Sequence, residues 1–495
     1  MFTINRPFTY FNSFQSNFTI FLVYIGIPFF LLYINPQSIY SILTVSISQL
    51  ILTFIDFTKY FSKPQFRNNP FIMGGWVYSI YLGLAPLLLY FNIELVVVDW
   101  NQWLSQEGFD NKSILTSQLL LNIFGMFLIV IGKKLNIFFD SFYKKLFKDL
   151  LKKESFLINL CLLLSGFQVY FILTGKISLG GISKSAIEGG IDPTLSILFP
   201  CFYVIPFLSG IYIKFKSKKK LLWLLILVLQ IPWLFLLNKR SMFLGTYLFS
   251  ITYYCFEHLK ITRKNILFFF IYVALFAFSA SIFQRLRTIG LNNIINEQEY
   301  FKLDYILENP ELLDNALMSD DNQHYGVTRP FSTHTPISRF CYLIENQDIF
   351  LLEGEGIINT IKNATPGNFF FNKESIFVNE VLYSHRYGSQ FDYDDAGDSI
   401  VLQGLIDYGY YGVIVYSILF FILCYVCFLI LVTHTSSIVR VLYLTQIVNL
   451  LLNSYEDTYG DVFSFIRLLV LVSVIDIFIL MNKQLFSGVI KQIRS

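Results

Sequence analysis

Long apolar runs separated by short polar segments fill the chain from residue 18 to residue 283 and again from residue 400 to residue 481. A run of about 20 apolar residues crosses the roughly 30 Å hydrocarbon layer of a membrane when it forms a helix that rises 1.5 Å per residue. Twelve stretches qualify, with approximate bounds 18–35, 38–58, 71–91, 113–132, 156–175, 194–213, 221–237, 241–257, 265–283, 400–432, 441–453 and 462–481. The pattern predicts an all-α, polytopic integral membrane protein with about 12 transmembrane helices.

The composition supports this prediction. Hydrophobic residues make up 55% of the 495 residues and charged residues only 14%, whereas a soluble protein carries roughly 25% charged residues. The shortage of charge means that much of the surface faces lipid, so the lipid bilayer is a predicted partner. The net charge of +3 excludes a polybasic nucleic-acid binder, and no nucleic-acid partner is predicted.

The cysteines predict no covalent cross-links. Five of the six lie inside apolar runs, and only Cys341 lies in a long polar segment. A disulfide framework needs paired cysteines in oxidising loops, so none is expected. Cys424 and Cys427 lie on a predicted membrane helix and are interpreted as small packing residues rather than as a redox or zinc motif.

The positions of the positive charges predict the orientation. If the N-terminus is cytoplasmic, 23 of the 37 Lys and Arg residues fall in connections on the cytoplasmic side. The short connections on the other side hold only five, which are Lys112, Lys176, Lys184, Lys239 and Arg240. Because Lys and Arg are retained on the cytoplasmic side of a membrane, the sequence predicts a multi-pass protein with both termini in the cytoplasm.

One segment on the non-cytoplasmic side, residues 284–396, is too long to be a simple connector. We therefore divide the chain into residues 1–283 with transmembrane helices 1 to 9, the large periplasmic loop 284–396, and residues 397–495 with transmembrane helices 10 to 12. The loop pattern predicts helices at about 297–318 and 334–350 and turns at 354–356 and 365–368. The loop is predicted to be the working part of the protein.

Arginine is concentrated in this loop. Five of its eight Lys and Arg residues are Arg, against five of 23 on the cytoplasmic side. A planar guanidinium binds a phosphate through two parallel hydrogen bonds, which lysine cannot do. We therefore predict a site for a lipid-linked phosphate or diphosphate, with the ligands Arg240, Arg285, Arg287, Arg329 and Arg339. Two alternatives stay open: snorkelling of Arg240 to the membrane interface, and binding of lipid headgroups without catalysis.

The chain leaves the large loop through the sequence GDSIVLQGLIDYGYYG, residues 397–412. The pattern S-x-x-x-Q-x-x-x-D-Y-G-Y-x-G, from Ser399 to Gly412, resembles the segment that follows the large periplasmic loop in the O-antigen polymerase (Wzy) and O-antigen ligase families. The turn LLNKRSMFLGTYLF and the placement of ATPGNFFFNKES resemble the polymerase family. Ligases commonly have a histidine before this pattern, and Asp398 occupies its place here, which weakens the ligase interpretation.

The resemblance implies a polysaccharide repeat unit polymerase in the bacterial inner membrane, which is a metal-independent glycosyltransferase. Such an enzyme transfers a glycan from polyprenyl diphosphate onto a lipid-linked repeat unit at the periplasmic face. Its implied partners are polyprenyl-diphosphate-linked oligosaccharides, with room for a chain-length regulator protein, and no cofactor or metal is expected. The five arginines would bind the leaving diphosphate, whose negative charge grows as the sugar–phosphate bond breaks.

The acceptor hydroxyl must lose its proton during the transfer, which requires a general base. Asp398 is the first candidate, although an acid at the start of a helix is also an ordinary cap. His334 is the second candidate because it lies between two of the arginines in RPFSTHTPISRF, and His324 and His385 are held in reserve.

Two other functions stay open. An O-antigen ligase-type glycosyltransferase shares the donor but transfers finished glycan to a different acceptor. A polysaccharide flippase or transporter fits twelve spans equally well, but transporters place charged groups or broken helices near the membrane centre. The nearly uncharged predicted spans and the polar large loop favour chemistry at the membrane surface.

Overall fold

The computed structural model describes residues 17–91, 100–173, 201–215, 217–237, 239–260, 329–347, 349–364, 379–388, 399–434 and 436–452, with a few single residues beyond them. These ranges contain helices and turns, and no β-strand is found within them. The all-α prediction is therefore confirmed for this part of the chain.

Fifteen α-helices form the described ranges. In chain order they are α1 (Asn17–Ile34), α2 (Ile39–Tyr60), α3 (Pro64–Arg67), α4 (Pro70–Tyr90), α5 (Trp100–Glu107), α6 (Asn111–Leu150), α7 (Glu154–Leu173), α8 (Val204–Lys214), α9 (Lys220–Leu237), α10 (Lys239–Tyr253), α11 (Arg329–Asn346), α12 (Glu355–Ala364), α13 (Asn379–Tyr387), α14 (Ile400–Thr433) and α15 (Ser437–Leu452). A π-helical turn, Leu22–Gly26, lies within α1, and a 3-10 helix, Leu151–Lys153, joins α6 to α7.

Six stretches of the described chain are long and apolar enough to cross a membrane. They are α1, α2, α4, Asn111–Asn136 of α6, the stretch Phe138–Phe171 that continues from α6 into α7, and α14. Shorter apolar helices lie at Val204–Lys214, Lys220–Gln230 and Ser437–Leu452. These nine stretches coincide with nine of the predicted runs, and α10 corresponds to the eighth. The ninth and twelfth runs fall almost entirely outside the described residues.

α6 is longer than the sequence predicted. We expected its apolar run to end near residue 132 and a lysine-rich connector to follow, but a single helix of 40 residues continues through that segment, about 60 Å at 1.5 Å per residue. Phe139, Phe142 and Leu146 are buried on one face of this extension. Lys144 pairs with Asp140 at 2.7 Å on the exposed surface. Apolar residues at helical spacing between the lysines therefore make the segment an amphipathic helix rather than a loop.

Aromatic side chains fill much of the space between the spans. The ring of Phe124 on α6 lies 5.3 Å, between centroids, from Tyr78 on α4 and 5.4 Å from Phe421 on α14. Tyr212 on α8 stacks on Trp223 of α9 at 4.5 Å. The helices α2, α4 and α6 pack together, α14 packs on α6, α15 packs on α4, and α10 packs on α8. Most of the buried apolar side chains belong to one continuous cluster.

Three helices of the predicted large loop lie against one end of the spans, called here the loop end. α11 packs on α4, α6 and α14, and α12 packs on α14 and α13. The helix predicted at about 334–350 is confirmed as α11, whereas the helix at 297–318 and the turn at 365–368 lie outside the described residues. A turn with positive φ at Glu353 (50°) and Gly354 (93°) precedes α12, which begins at Glu355, one residue into the predicted turn 354–356.

Candidate functional site

α14 bends sharply within the segment that carries the family resemblance. Tyr408 and Gly409 have non-helical backbone angles. The φ of Gly409 is +63°, a backbone conformation that residues other than glycine rarely adopt. The two arms of the bend meet at Gly404 and Gly412, since a β-carbon added to Gly404 would lie 2.7 Å from the carbonyl oxygen of Gly412. Residues eight apart in a straight helix are about 12 Å apart. The glycines therefore allow the chain to fold back on itself before it enters the span.

Asp407 lies at this bend and is fully buried. Its carboxylate accepts hydrogen bonds from the backbone N–H groups of Gly356 at 3.0 Å and Ile357 at 3.1 Å, and Tyr416 donates a third at 2.5 Å. The first N–H groups of a helix have no partner within the helix, and a carboxylate both satisfies them and complements the helix dipole. Asp407 is thus the N-terminal cap of α12, supplied from a different helix.

Further bonds fix α12 and its preceding turn to α14. Gln403 donates from Nε2 to the hydroxyl of Thr360 at 3.0 Å, and the Tyr408 hydroxyl donates to the Glu353 carbonyl at 3.0 Å. The backbone N–H groups of residues 352 and 353 donate to the carbonyls of residues 406 and 407 at 3.1 and 2.9 Å. Ser399 caps α14 itself by accepting from Leu402 N–H at 3.1 Å. Gln403, Asp407 and Tyr408 therefore act together as a clasp between the large loop and the membrane helices.

Arg386 on α13 is the most exposed described arginine at the loop end. One guanidinium nitrogen, Nη2, lies 2.8 and 2.7 Å from the two carboxylate oxygens of Glu355, and the side chains are 43% and 34% exposed. Hydrogen bonding to Glu355, together with its negative charge, raises the pKa of Arg386. Glu355 stands in the first turn of α12, directly before the residues that Asp407 caps. The clasp therefore determines where this guanidinium lies.

Arg339 is the one predicted diphosphate ligand whose side chain the structure describes. Its guanidinium donates to the carbonyl of Gly108, in the connection before α6, and lies 5.9 Å from the ring centroid of Tyr342. Arg339 is followed by Phe340 and Arg386 by Tyr387. The ring centroids of Phe340 and Tyr387 are 5.4 Å apart. The two arginines therefore lie on packed helices at the same end of the bundle.

Lys112 and Glu345 add a second charged pair at the loop end. Lys112 Nζ lies 2.7 Å from Glu345 Oε2, and the Tyr410 hydroxyl donates to Glu345 Oε1 at 3.2 Å. Tyr410 follows the bend of α14, whereas Glu345 is near the end of α11. The start of α6, the end of α11 and the bend thus meet at one carboxylate.

His334 lies inside the protein, away from the position expected of a general base. The residue is 2% exposed; Nε2 is 3.2 Å from the carbonyl of Leu82 on α4, and Nδ1 is 3.4 Å from the Ser117 hydroxyl on α6. Burial lowers the pKa of His334 to about 4, so the ring is neutral at pH 7. Because both nitrogens are engaged by α4 and α6, the geometry gives His334 a structural role between the loop and the spans.

The other predicted ligands are located only in part. Arg240 lies in the first turn of α10 and Arg329 is the first residue of α11, but their side chains are outside the described part. Asp398, Arg285 and Arg287 lie wholly outside it. Of the predicted site, the described residues therefore place Arg339 at the loop end and His334 in the interior, and do not bring the two side chains together.

Asp407, Glu355 and Arg386 were not among the predicted site residues. Asp407 and Glu355 belong to segments that are 52 residues apart in sequence. One signal was present: α12 begins after Glu353 and Gly354, without the Ser, Thr, Asp or Asn that usually caps a helix from within its own chain segment. A helix without a local cap needs one from elsewhere, and Asp407 supplies it.

Comparisons with protein-family models, with curated proteins and with solved structures find no match for this chain. The functional interpretation therefore depends on the residues themselves. The loop end offers two arginines and a lysine on packed helices, beside a segment in which Gln403, Asp407 and Tyr408 fix α12 and its preceding turn.

Proposed function

We propose that the protein is a polysaccharide repeat unit polymerase of the bacterial inner membrane, with twelve spans, both termini in the cytoplasm and the loop end facing the periplasm. It transfers a glycan from polyprenyl diphosphate to a lipid-linked repeat unit, as the resemblance of Ser399–Gly412 implies. The observation that carries the proposal is the clasp at Asp407, because the resembling segment is the one that joins the large loop to the membrane helices.

The arginines of the loop end suit the leaving group of this reaction. Breaking the bond between sugar and diphosphate leaves negative charge on the diphosphate, and fixed guanidinium groups lower the barrier by binding that charge as it develops. We assign this role to Arg339 and to Arg386, and retain Arg240, Arg285, Arg287 and Arg329 as further ligands. Glu355 holds the Arg386 guanidinium in place until the diphosphate replaces one of its oxygens.

Asp407 has a positioning role in this proposal. Its two oxygens are occupied by three donors within the protein, and it is fully buried. It therefore fixes the start of α12, and with it Glu355, rather than accepting a proton from the acceptor sugar. Asp398, adjacent to the Ser399 cap, remains the proposed general base, and the reaction is proposed to need no metal or cofactor.

Deletion of the gene in its own host, with complementation by variants, tests the proposal. We expect Arg339→Ala and Arg386→Ala to shorten the glycan, through a loss of rate on the order of a hundredfold for a well-placed contact to the leaving group. Asp398→Asn keeps the size of the side chain and leaves the Ser399 cap in place but removes the base, and is expected to abolish polymer. Lys144→Ala is the matched control, because it breaks an exposed ion pair away from the loop end. Normal glycan length at normal protein level in all three variants would refute the proposed site.

The products also separate the polymerase from a ligase. Loss of a polymerase leaves the acceptor with a single repeat unit, whereas loss of a ligase leaves a bare acceptor and accumulates lipid-linked polymer. A chain-length regulator, which we propose as a partner, would change the distribution of glycan lengths without abolishing the polymer.

A flippase or transporter is the second candidate, because the described spans are not free of charge. We expected nearly uncharged spans, but Asp56 on α2 pairs with Lys133 on α6 at 2.8 Å, and the two side chains are only 10% and 12% exposed. Ionisable groups inside a membrane bundle often mark transport paths. A transporter would be indicated if deletion left single lipid-linked repeat units on the cytoplasmic face.

A further inference from the structure

One face of α2 carries a line of polar side chains through the bundle. Ser46, Gln49, Thr53 and Asp56 follow one another at intervals of three, four and three residues, which places them on one side of a helix. Their exposed fractions are 0%, 2%, 1% and 8%. This buried line is directed at the neighbouring helices rather than at lipid.

Hydroxyl groups from three helices meet in the middle of this line. Tyr24 on α1 donates its phenolic proton to the Ser79 hydroxyl on α4 at 2.6 Å and lies 3.1 Å from the Thr53 hydroxyl. Gln49 donates to the backbone carbonyl of Ser79 at 3.2 Å. α1, α2 and α4 are therefore joined by polar contacts inside the membrane bundle.

An ion pair closes one end of the line, at the end of the spans opposite the loop end. Asp56 accepts from Lys133 at 2.8 Å and from the Trp76 indole N–H at 3.2 Å. The Lys133 ammonium also lies 5.0 Å from the centroid of the Tyr60 ring. The carboxylate thus faces one cation and one neutral donor.

Toward the loop end, further buried polar side chains lie on α6 and α11. Gln118 donates from Nε2 to the Ser46 hydroxyl at 2.7 Å. The adjacent Ser117 accepts from Ser338 of α11 at 2.9 Å and lies 3.4 Å from His334. Sixteen residues separate Ser117 from Lys133, or about 24 Å of the roughly 30 Å hydrocarbon layer.

Three buried polar groups along this line have no hydrogen-bond partner among the described residues. They are Gln118 Oε1, Asn122 Nδ2 and the Tyr78 hydroxyl, on residues that are 1–2% exposed. Gln118 and Asn122 are four residues apart on α6, so their side chains are neighbours on one face. One is an acceptor and the other a donor, which is the combination that an internal water molecule satisfies.

We propose that this line of side chains, with internal water beside Gln118 and Asn122, conducts protons between the two membrane faces. Hydroxyl groups and water both donate and accept, so each takes a proton from one neighbour and passes its own to the next, whereas the amides of Gln49 and Gln118 hold these groups in place and pass no proton. One proton leaves for each that enters, and every group regains its starting state after it reorients. Direct contacts of 2.6–3.1 Å among the hydroxyl groups of Tyr24, Ser79 and Thr53 leave no room for a hydrated ion at this point. This inference does not depend on the polymerase proposal.

Proton flux into proteoliposomes tests it. The purified full-length protein is reconstituted with an entrapped pH dye, and a potassium diffusion potential is applied. We expect acidification about tenfold faster than in protein-free liposomes, and a loss of about tenfold in Thr53→Val, which removes one relay hydroxyl. Thr44→Val is the matched control, because Thr44 lies on the same helix but is exposed and bonds only to its own backbone within the described contacts.

A purely structural role for the line gives a different result. If the polar side chains only hold the helices together, vesicles that contain the wild-type protein will be no more permeable to protons than protein-free vesicles. That result would overturn the proposal. Equal flux in wild type and Thr53→Val would overturn it as well. Ser46→Ala, which removes the acceptor of Gln118 with little change of volume, provides a second variant, and gel filtration of each protein in detergent shows that it is folded.

Discussion

Two ion pairs in this protein have nearly the same length but opposite surroundings. Lys133 lies 2.8 Å from Asp56 with side chains 12% and 10% exposed, whereas Arg386 lies 2.7 Å from Glu355 with side chains 43% and 34% exposed. A buried pair cannot lose one partner without leaving a charge out of water, whereas an exposed pair is screened by solvent. The first pair is therefore a fixed part of the membrane core, and the second can exchange its partner for a ligand.

The largest expected effect comes from breaking the buried pair. Asp56→Asn leaves the Lys133 ammonium opposite a neutral amide, and we expect a loss of about 3–5 kcal/mol of stability. Thermal unfolding in detergent measures this as a lower midpoint. The matched control is Asp140→Asn, which breaks the pair with Lys144 on the exposed surface of α6 and should leave the midpoint unchanged. Equal midpoints for both variants would mean that Asp56 and Lys133 are solvated in the native protein.

A second prediction concerns the pH dependence of stability. Burial lowers the pKa of His334 from its ordinary 6.5 to about 4, so the unfolded chain binds more protons than the native protein between these two values. Stability is then fully present above about pH 6.5 and is lost as the pH falls toward 4, by up to about 3 kcal/mol. Unfolding midpoints measured across this range are expected to show the decline.

Substitution of His334 isolates its share of that decline. His334→Gln retains hydrogen-bonding capacity but has no proton to gain, so its profile should be flatter than that of wild type between pH 6.5 and 4. A wild-type profile in His334→Gln would show that the histidine is not desolvated in the native protein.

The helices of the spans could be predicted from the sequence because the membrane imposes one length and one kind of surface on each of them. The Ser399 cap was equally local, since a cap and its helix are adjacent in the chain. The cap of α12 was not predictable in this way, because Asp407 comes from another helix. The extension of α6 was misjudged because its lysines were counted without regard to the apolar face between them.

The spacing of the polar residues on α2 could be recognised in the sequence, but the sequence does not show whether they face other helices or lipid. Ser46, Gln49, Thr53 and Asp56 lie at helical spacing, yet hydroxyl and amide groups of this kind also occur on lipid-facing surfaces, where they bond to their own backbone, as Thr44 does. Only the packing of α1, α4 and α6 shows that this face is interior. The direction of a helix face is a tertiary property, whereas its periodicity is local.

A third prediction tests the clasp that supports the exposed pair. Asp407→Asn keeps the shape of the side chain but replaces one acceptor oxygen by an NH₂ group facing the backbone donors of Gly356 and Ile357. We expect the free energy of unfolding to fall by about 2 kcal/mol and the backbone amides of Gly356 and Ile357 to exchange hydrogen faster. Ser399→Ala removes the cap of α14, which lowers the free energy of unfolding by about 1 kcal/mol, and should leave hydrogen exchange at α12 unchanged. Unaltered exchange in Asp407→Asn would contradict the capping role.

The smallest expected effect comes from breaking the exposed pair, which should alter the binding of an anionic ligand without altering stability. Glu355→Gln removes the competitor for the Arg386 guanidinium, so the unfolding midpoint should not change, while inorganic pyrophosphate should bind more tightly by up to about fivefold. Calorimetric titration of the purified protein measures this affinity. Asp140→Asn, which also removes one negative charge from the exposed surface, serves as the control for a general change in surface charge. Weaker or unchanged pyrophosphate binding in Glu355→Gln would mean that the carboxylate orients the arginine for the ligand instead of competing with it.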